Sequence, residues 1–290
     1  MARFGLIGAG GYVAPRHMQA IKDTGNDLVV ALDPNESVGI LDKYFPDCVF
    51  FTQTERFDRH IIKNETLDYV SICSPNYLHE FHCKLGMRLG ADVICEKPLV
   101  INSENLDQLK VVEGQTNKRV YTILQLRLHP SIKLLKHMIN KDSFYNVDLK
   151  YITPRGPWYF QSWKGDEGKS GGIEANIGIH FFDMLIWLFG DVKKFELIIR
   201  SERKSVGVLQ LEKANVKWYL SLDRNDLPDQ NQKFYRAMLV NNEEVRFDNV
   251  FSDLHTEVYW NILNGRGYGI EDSIKAIELV QKIRNGVYEF

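Results

Sequence analysis

Phe4-Gly5-Leu6-Ile7-Gly8-Ala9-Gly10-Gly11-Tyr12 decides how this chain is read. It opens as a short apolar run, the mark of a strand buried on both faces, and breaks into glycines. Gly8 permits a tight turn, and Gly10 lets the backbone come close to a pyrophosphate. The helix that follows offers its unpaired N–H groups there, and its first residues after the turn are Gly11 and Tyr12. The third glycine of the usual pattern falls at Val13, which leaves Gly11 and Ala14 to allow close helix–strand packing. Asp33 ends the next apolar run. An acid at that distance accepts the two ribose hydroxyls of an adenosine and repels a 2′-phosphate, which favours NAD over NADP.

Working outward, the runs Phe4–Gly8, Leu28–Asp33, Val49–Thr52, Tyr69–Cys73, Asp92–Cys95 and Val120–Leu124 alternate with helical patterns. Ala14, Met18 and Ile21 share a helical face that Gly25 can close, and Ser103 heads another helix. Such alternation predicts a doubly wound parallel sheet, a Rossmann domain over residues 1–124. Beyond residue 124 the texture changes. Val216, Trp218, Leu220 and Leu222 alternate with Lys217, Tyr219, Ser221 and Asp223, a period of two. Phe195–Ser201, Val206–Glu212 and Phe234–Val240 read similarly, flanked by helical patterns at Gly178–Phe189, Leu254–Leu263 and Ile274–Ile283. The expected fold class is α/β: the Rossmann sheet, then an α+β domain over residues 125–290 with a mostly antiparallel open sheet. Apolar side chains on that sheet predict a homo-oligomer, a dimer or tetramer.

Lys and Arg number 36 against 38 Asp and Glu, a net charge of −2, which argues against a nucleic acid polymer as partner. The N-terminal apolar run is too short for a signal peptide, and no run of about 18 apolar residues predicts a membrane span. Cys48, Cys73, Cys83 and Cys95 match no zinc spacing and no disulfide framework, so no metal site is expected and the thiols read as reduced, structural and cytoplasmic.

Two loops fall just past strand carboxyl ends, where open α/β sheets bind ligands: Ser74-Pro75-Asn76-Tyr77-Leu78-His79 and Glu96-Lys97-Pro98. Lys97 there can bond a substrate hydroxyl, with Gln125 and Arg127 beyond the sixth strand. In the second half, Asn176 precedes His180 by four residues and Asp183 follows it by three, in a strongly apolar stretch. A histidine in such a stretch, taken alone, reads first as a satisfied core residue. Arg155, Trp158, Tyr159, Trp163, Lys164 and Lys169 crowd a glycine-rich stretch. Their cations suit a diphosphate or carboxylate and their aromatic faces suit a base or sugar.

The glycine turn, Asp33, Ser74-Pro75-Asn76 with His79, Glu96-Lys97-Pro98 and Gly178-Ile179-His180 occur in the order found in the glucose-fructose oxidoreductase/inositol dehydrogenase (Gfo/Idh/MocA) family, which the whole chain resembles. The resemblance implies a hydride moved between a sugar-type C–H and NAD, with Lys97 at the catalytic centre and His180 as acid/base. Many members carry an aspartate where this chain has Asn176, so Asn176 orients without ionising. Tyr12–His17, Ser71–His79, Trp163–Asp166, Asn176–His180 and Gly265–Gly269 are similar to a bacterial branch that acts on UDP-N-acetylhexosamine uronates in surface-polysaccharide (O-antigen) synthesis. This implies oxidation of the 3′-hydroxyl of UDP-GlcNAcA. Members of this kind can recycle NADH with 2-oxoglutarate. A dehydrogenase of another sugar or polyol, an NAD-dependent glycosidase and a non-catalytic dinucleotide sensor are the alternatives.

Overall fold

The computed structural model describes residues 1–246 and 254–286. The chain forms two compact units, Met1–Gln125 with Ser252–Ser273, and Leu126–Phe251 with Ile274–Phe290.

The first unit is strand–helix alternation: β1 (Arg3–Ile7), α1 (Ala14–Asp23), β2 (Asp27–Leu32), α2 (Ile40–Tyr44), β3 (Val49–Phe51), α3 (Thr54–Asn64), β4 (Tyr69–Ile72), α4 (His79–Arg88), β5 (Asp92–Cys95), α5 (Glu104–Thr116) and β6 (Val120–Thr122). The strands pair in parallel in the order β3-β2-β1-β4-β5-β6. The order reverses between β1 and β4, so their carboxyl ends open side by side at the switch point of a doubly wound sheet. Phe4, Leu6, Val70, Ile72, Val93 and Ile94 are fully buried, which is why these strands are continuous in apolar residues rather than alternating. Helix α1 buries Ala14, Met18 and Ile21 and ends before Gly25, whose φ of 72° a side chain would strain. Ser103 stands at the head of α5, but its side chain makes no cap hydrogen bond to the helix.

The second unit holds α6 (Pro130–Met138), β7 (Tyr145–Ile152), α7 (Pro157–Gln161), α8 (Glu167–Ser170), α9 (Ile179–Phe189), β8 (Val192–Arg200), β9 (Lys204–Leu211), β10 (Ala214–Ser221), β11 (Tyr235–Val240) and β12 (Glu243–Glu244). Its sheet runs β12-β11-β7-β10-β9-β8. All pairs are antiparallel except the central β7–β10 pair, which is parallel. Helix α9 covers one face: Phe182 meets Trp218 edge-on at 5.6 Å, and Phe181 and Phe189 lie against Tyr151 and Tyr145. Gly178 lets the start of α9 press on β10, because a Cβ there would sit 2.8 Å from Leu220. The stretch Glu167–Phe189 is apolar and long enough to pass for a membrane span, yet 78% of its most apolar window is buried in the fold.

Two expectations change here. The apolar residues of the alternating strands point at α9, while Lys150, Lys194, Glu196, Gln210, Asn215 and Lys217 are exposed; the apolar face invoked for an oligomer is already covered. Furthermore, α10 (Leu254–Leu263) and the start of α11 (Ile270–Asn285) belong to the first unit, although they follow the second in sequence. Helix α10 buries Leu254, Val258, Tyr259 and Ile262 and packs on α1. Its periodicity shows an apolar face but carries no record of which sheet that face meets.

Candidate active site

Gly8 turns at φ 93°, and a Cβ there would lie 2.5 Å from the Ser74 nitrogen. Gly11 is almost as confined: a Cβ there would lie 3.0 Å from the carbonyl oxygens of Cys73 and Gly8, so it serves the close packing that the third glycine usually allows. The Gly10 N–H donates to Asp33 Oδ2 at 2.8 Å, and the Asn35 N–H donates to Oδ1 at 2.8 Å. Each carboxylate oxygen accepts more than one hydrogen bond, so Asp33 retains capacity for a ribose diol. Gln125 is buried at the end of this unit, and its Oε1 meets no donor among the described residues. A glycine cradle at a helix start, an acid at the end of β2 and an unused buried acceptor fit a dinucleotide. Tyr12 lies beside the turn, 84% exposed.

The two loops beyond β4 and β5 are tied by His79. Its Nδ1 lies 2.7 Å from the Pro98 carbonyl oxygen and its Nε2 2.8 Å from that of Ser74. Both ring nitrogens are thus engaged within the protein, and His79 joins the loops rather than offering a nitrogen to a cofactor. Asn76 is buried in the single turn within the first of these loops. Lys97 is half-buried between the buried Glu96 and Pro98. Burial draws His79 below its ordinary pKa against the pull of the two carbonyls.

Ser74 Oγ bonds His82 Nδ1 at 2.8 Å, and burial pushes His82 down to about 4. The unfolded chain, with an ordinary value of 6.5, takes up this proton first. Stability from His82 is therefore complete above that value and is lost as pH falls toward the folded one. Between about pH 7 and about pH 5 the expected loss from this ring is about 2 kcal/mol. His17, displaced downward chiefly by burial, adds to it. Urea unfolding midpoints at the two pH values measure this, and equal midpoints would refute it.

Glu96 does not face outward either. Its Oε1 lies 3.0 Å from His17 Nε2 and 2.9 Å from His255 Nε2. Sequence spacing gave no sign of this buried trio, because its members are separated by 79 and 159 residues. The three ligand-type atoms lie within 4.8 Å of one another.

In the second unit, a single π turn (Glu174–Gly178) leads into α9. From Ile173 to Ile186, Asn176 and His180 alone are less than buried. His180 is thus half-buried in an otherwise buried stretch. Asn176 Nδ2 donates to the Tyr159 hydroxyl at 2.7 Å, so Asn176 ties the π turn that leads into α9 to α7. Burial raises the Tyr159 phenol, and the Arg155 guanidinium lies 5.8 Å from its ring centre. Lys164 lies over Trp158 and Trp163; burial, then the nearby Arg155 charge, lowers its pKa. Two cations that repel each other beside aromatic faces have the chemistry to receive an anion. Arg127 is not available to it. The guanidinium is buried and grips Asp183 in a fork, Nε to Oδ2 at 3.0 Å and Nη2 to Oδ1 at 2.6 Å.

Residues 2–123 match the model of the Gfo/Idh/MocA oxidoreductase family's NAD-binding Rossmann fold, and residues 134–231 match its C-terminal α/β domain. The chain belongs to the Gfo/Idh/MocA oxidoreductase family, and its first unit is an NAD-binding Rossmann fold. Among solved structures it is similar to the WlbA (WbpB) dehydrogenase from Thermus thermophilus in complex with NAD and UDP-GlcNAcA. The two are 45% identical with a TM-score of 0.94, over 98% of this chain and 95% of that one. The same enzyme is also known in complex with NAD and alpha-ketoglutarate. The WlbA dehydrogenase from Bordetella pertussis, at 18% identity over 99% of this chain and 95% of that one and a TM-score of 0.82, shares the fold. A curated relative, glucose-6-phosphate 3-dehydrogenase of Bacillus subtilis (strain 168), is 26% identical over 201 residues, 65% of this chain. The chain spans about half the length of the curated relatives it matches, 54% for this one.

Proposed function

We propose that this protein is an NAD-dependent dehydrogenase that oxidises the 3′-hydroxyl of UDP-GlcNAcA to the 3-keto sugar. The observation that carries this reading is the 45% identity, spread over 98% of the chain, to a dehydrogenase solved with NAD and UDP-GlcNAcA. Arg155, Lys164, Trp158, Trp163 and Tyr159 support it, since they suit a nucleotide-sugar anion. Bound NAD, held by Gly8, Gly10, Gly11, Asp33 and Gln125, supplies the hydride acceptor. The His180 imidazole takes the hydroxyl proton. Lys97 Nζ donates to the oxygen as carbonyl character develops. Asn176, held by Tyr159, keeps α9 oriented. With 2-oxoglutarate in the cleft, the reduced cofactor would supply hydride to its keto carbon and the protonated His180 would return its proton to the keto oxygen, giving 2-hydroxyglutarate. We place the reaction in the bacterial cytoplasm, in surface-polysaccharide (O-antigen) sugar synthesis; four free cysteines suit a reducing compartment. Self-association into a dimer or tetramer belongs to the same reading, supported by the exposed Ile198 and Phe234.

The test is NADH formation with UDP-GlcNAcA, UDP-GlcNAc and myo-inositol, each with NAD and with NADP. Turnover is expected with UDP-GlcNAcA and NAD, and the Asp33 carboxylate should exclude NADP. Turnover of inositol alone would overturn the substrate assignment. Glycoside cleavage without net NADH would overturn the reaction class.

A further inference from the structure

The chemistry above leaves unused a chain of five buried side chains in the first unit. Ser71 Oγ and the Tyr259 hydroxyl are 2.6 Å apart, and that hydroxyl is 2.7 Å from His17 Nδ1. His17 Nε2 meets Glu96 Oε1 at 3.0 Å, and His255 Nε2 meets the same oxygen at 2.9 Å. The other carboxylate oxygen, Oε2, accepts the backbone N–H of Lys97 at 3.2 Å. Ser71, His17, His255 and Tyr259 are each 0 or 1% exposed, and Glu96 6%.

One arrangement of protons satisfies this chain. An ionised carboxylate only accepts, so both Nε2 atoms donate to Glu96. A neutral His17 then accepts at Nδ1, the Tyr259 hydroxyl donates to it, and Ser71 donates to Tyr259. Every donor leads toward Glu96. Burial alone would raise the Glu96 carboxyl, but the hydrogen bonds from the two imidazoles hold it well below the carboxylate range. Burial keeps His17 below its own ordinary value, consistent with a neutral ring. Three N–H groups on one carboxylate leave its side-chain torsions little freedom. One of the three is the Lys97 peptide, so the backbone of Lys97 is bound through Glu96 to α1 and α10.

We propose that His17, Glu96, His255 and Tyr259 form a positioning network that sets Lys97 for reaction, which makes α10 a support of the active centre. The proposal rests on the role given to Lys97 above. A network that served stability alone would change the melting temperature and leave the rate of folded enzyme intact.

His255→Leu and His255→Gln separate the two roles. Glutamine keeps an N–H at about the reach of Nε2, and leucine does not. His255 Nδ1 has no hydrogen-bond partner among the described residues, so glutamine forfeits nothing there. Below the unfolding temperature, His255→Leu is expected to lower kcat on the order of 10- to 100-fold, with KM for NAD changed less than about twofold. His255→Gln should recover most of kcat. Tyr259→Phe removes a single oxygen and should give a smaller loss in the same sense, which covers the case of an unfolded leucine variant.

A second readout needs no substrate. The rate at which an amine-reactive ester labels Lys97, resolved by peptide mass spectrometry, should change several-fold in His255→Leu and return to the wild-type rate in His255→Gln. The exposed Lys63 serves as internal control. If wild-type protein oxidises no UDP-sugar, the functional reading fails, and the labelling still decides the network. Wild-type kcat together with wild-type labelling in His255→Leu would overturn the proposal. Loss of wild-type activity on treatment with EDTA would also overturn it, replacing the hydrogen bonds with a cation held by His17, Glu96 and His255.

Discussion

Lys97→Ala is expected to lower kcat about 10²- to 10³-fold, the usual cost of removing one donor from a developing oxyanion. The loss should fall on kcat because the ammonium is most useful when charge gathers on the oxygen. NAD binding is expected to fall far less, since the glycine turn and Asp33 lie on other loops. Lys97→Arg keeps the charge but replaces a compact ammonium with a planar fork, so it should recover only a small part of the rate. Steady-state kinetics with fluorescence titration of NADH separates the two quantities. A Lys97→Ala enzyme with wild-type kcat would remove Lys97 from the mechanism.

The second large effect is on stability. Asp183→Ala should destabilise the second unit by about 3–5 kcal/mol, because it leaves the Arg127 guanidinium buried without its carboxylate. Both partners are nearly inaccessible, and the paired geometry is a two-bond fork. The double variant Arg127→Met/Asp183→Leu removes both charges and is expected to regain most of that loss. Urea unfolding followed by tryptophan fluorescence suits the measurement, since Trp158, Trp163, Trp187 and Trp218 all lie in this unit. A double variant no more stable than Asp183→Ala would show that the pair stabilises by more than mutual neutralisation.

These residues also show what a sequence can and cannot disclose. The glycine turn and Asp33 were legible because the spacing of a turn, a helix start and a strand end is local chemistry. The period-two pattern around Trp218 was legible because a strand with one buried face must alternate. The strand at Tyr145–Ile152 was not read, although it lies in the middle of its sheet. Its partner in the parallel pair begins at Ala214, and such pairing has no signature nearby in sequence. Arg127 looked like a ligand for the cleft, and only the fold shows that Asp183 holds it. His79 and Glu96 were legible as important positions, but the direction of their side chains was not. His255 and Tyr259 were missed altogether, since a polar residue bonded inside a core looks in sequence like one in solvent.

The return of α10 to the first unit has a consequence for heredity. The Rossmann portion is written in two separate stretches of the gene, with most of the other unit encoded between them. An exchange that swapped only the opening stretch between two relatives would bring in a new Glu96 and His17 and leave the old His255 and Tyr259 behind. Recombination should therefore succeed where both stretches travel together, so the two stretches are bound to share one history.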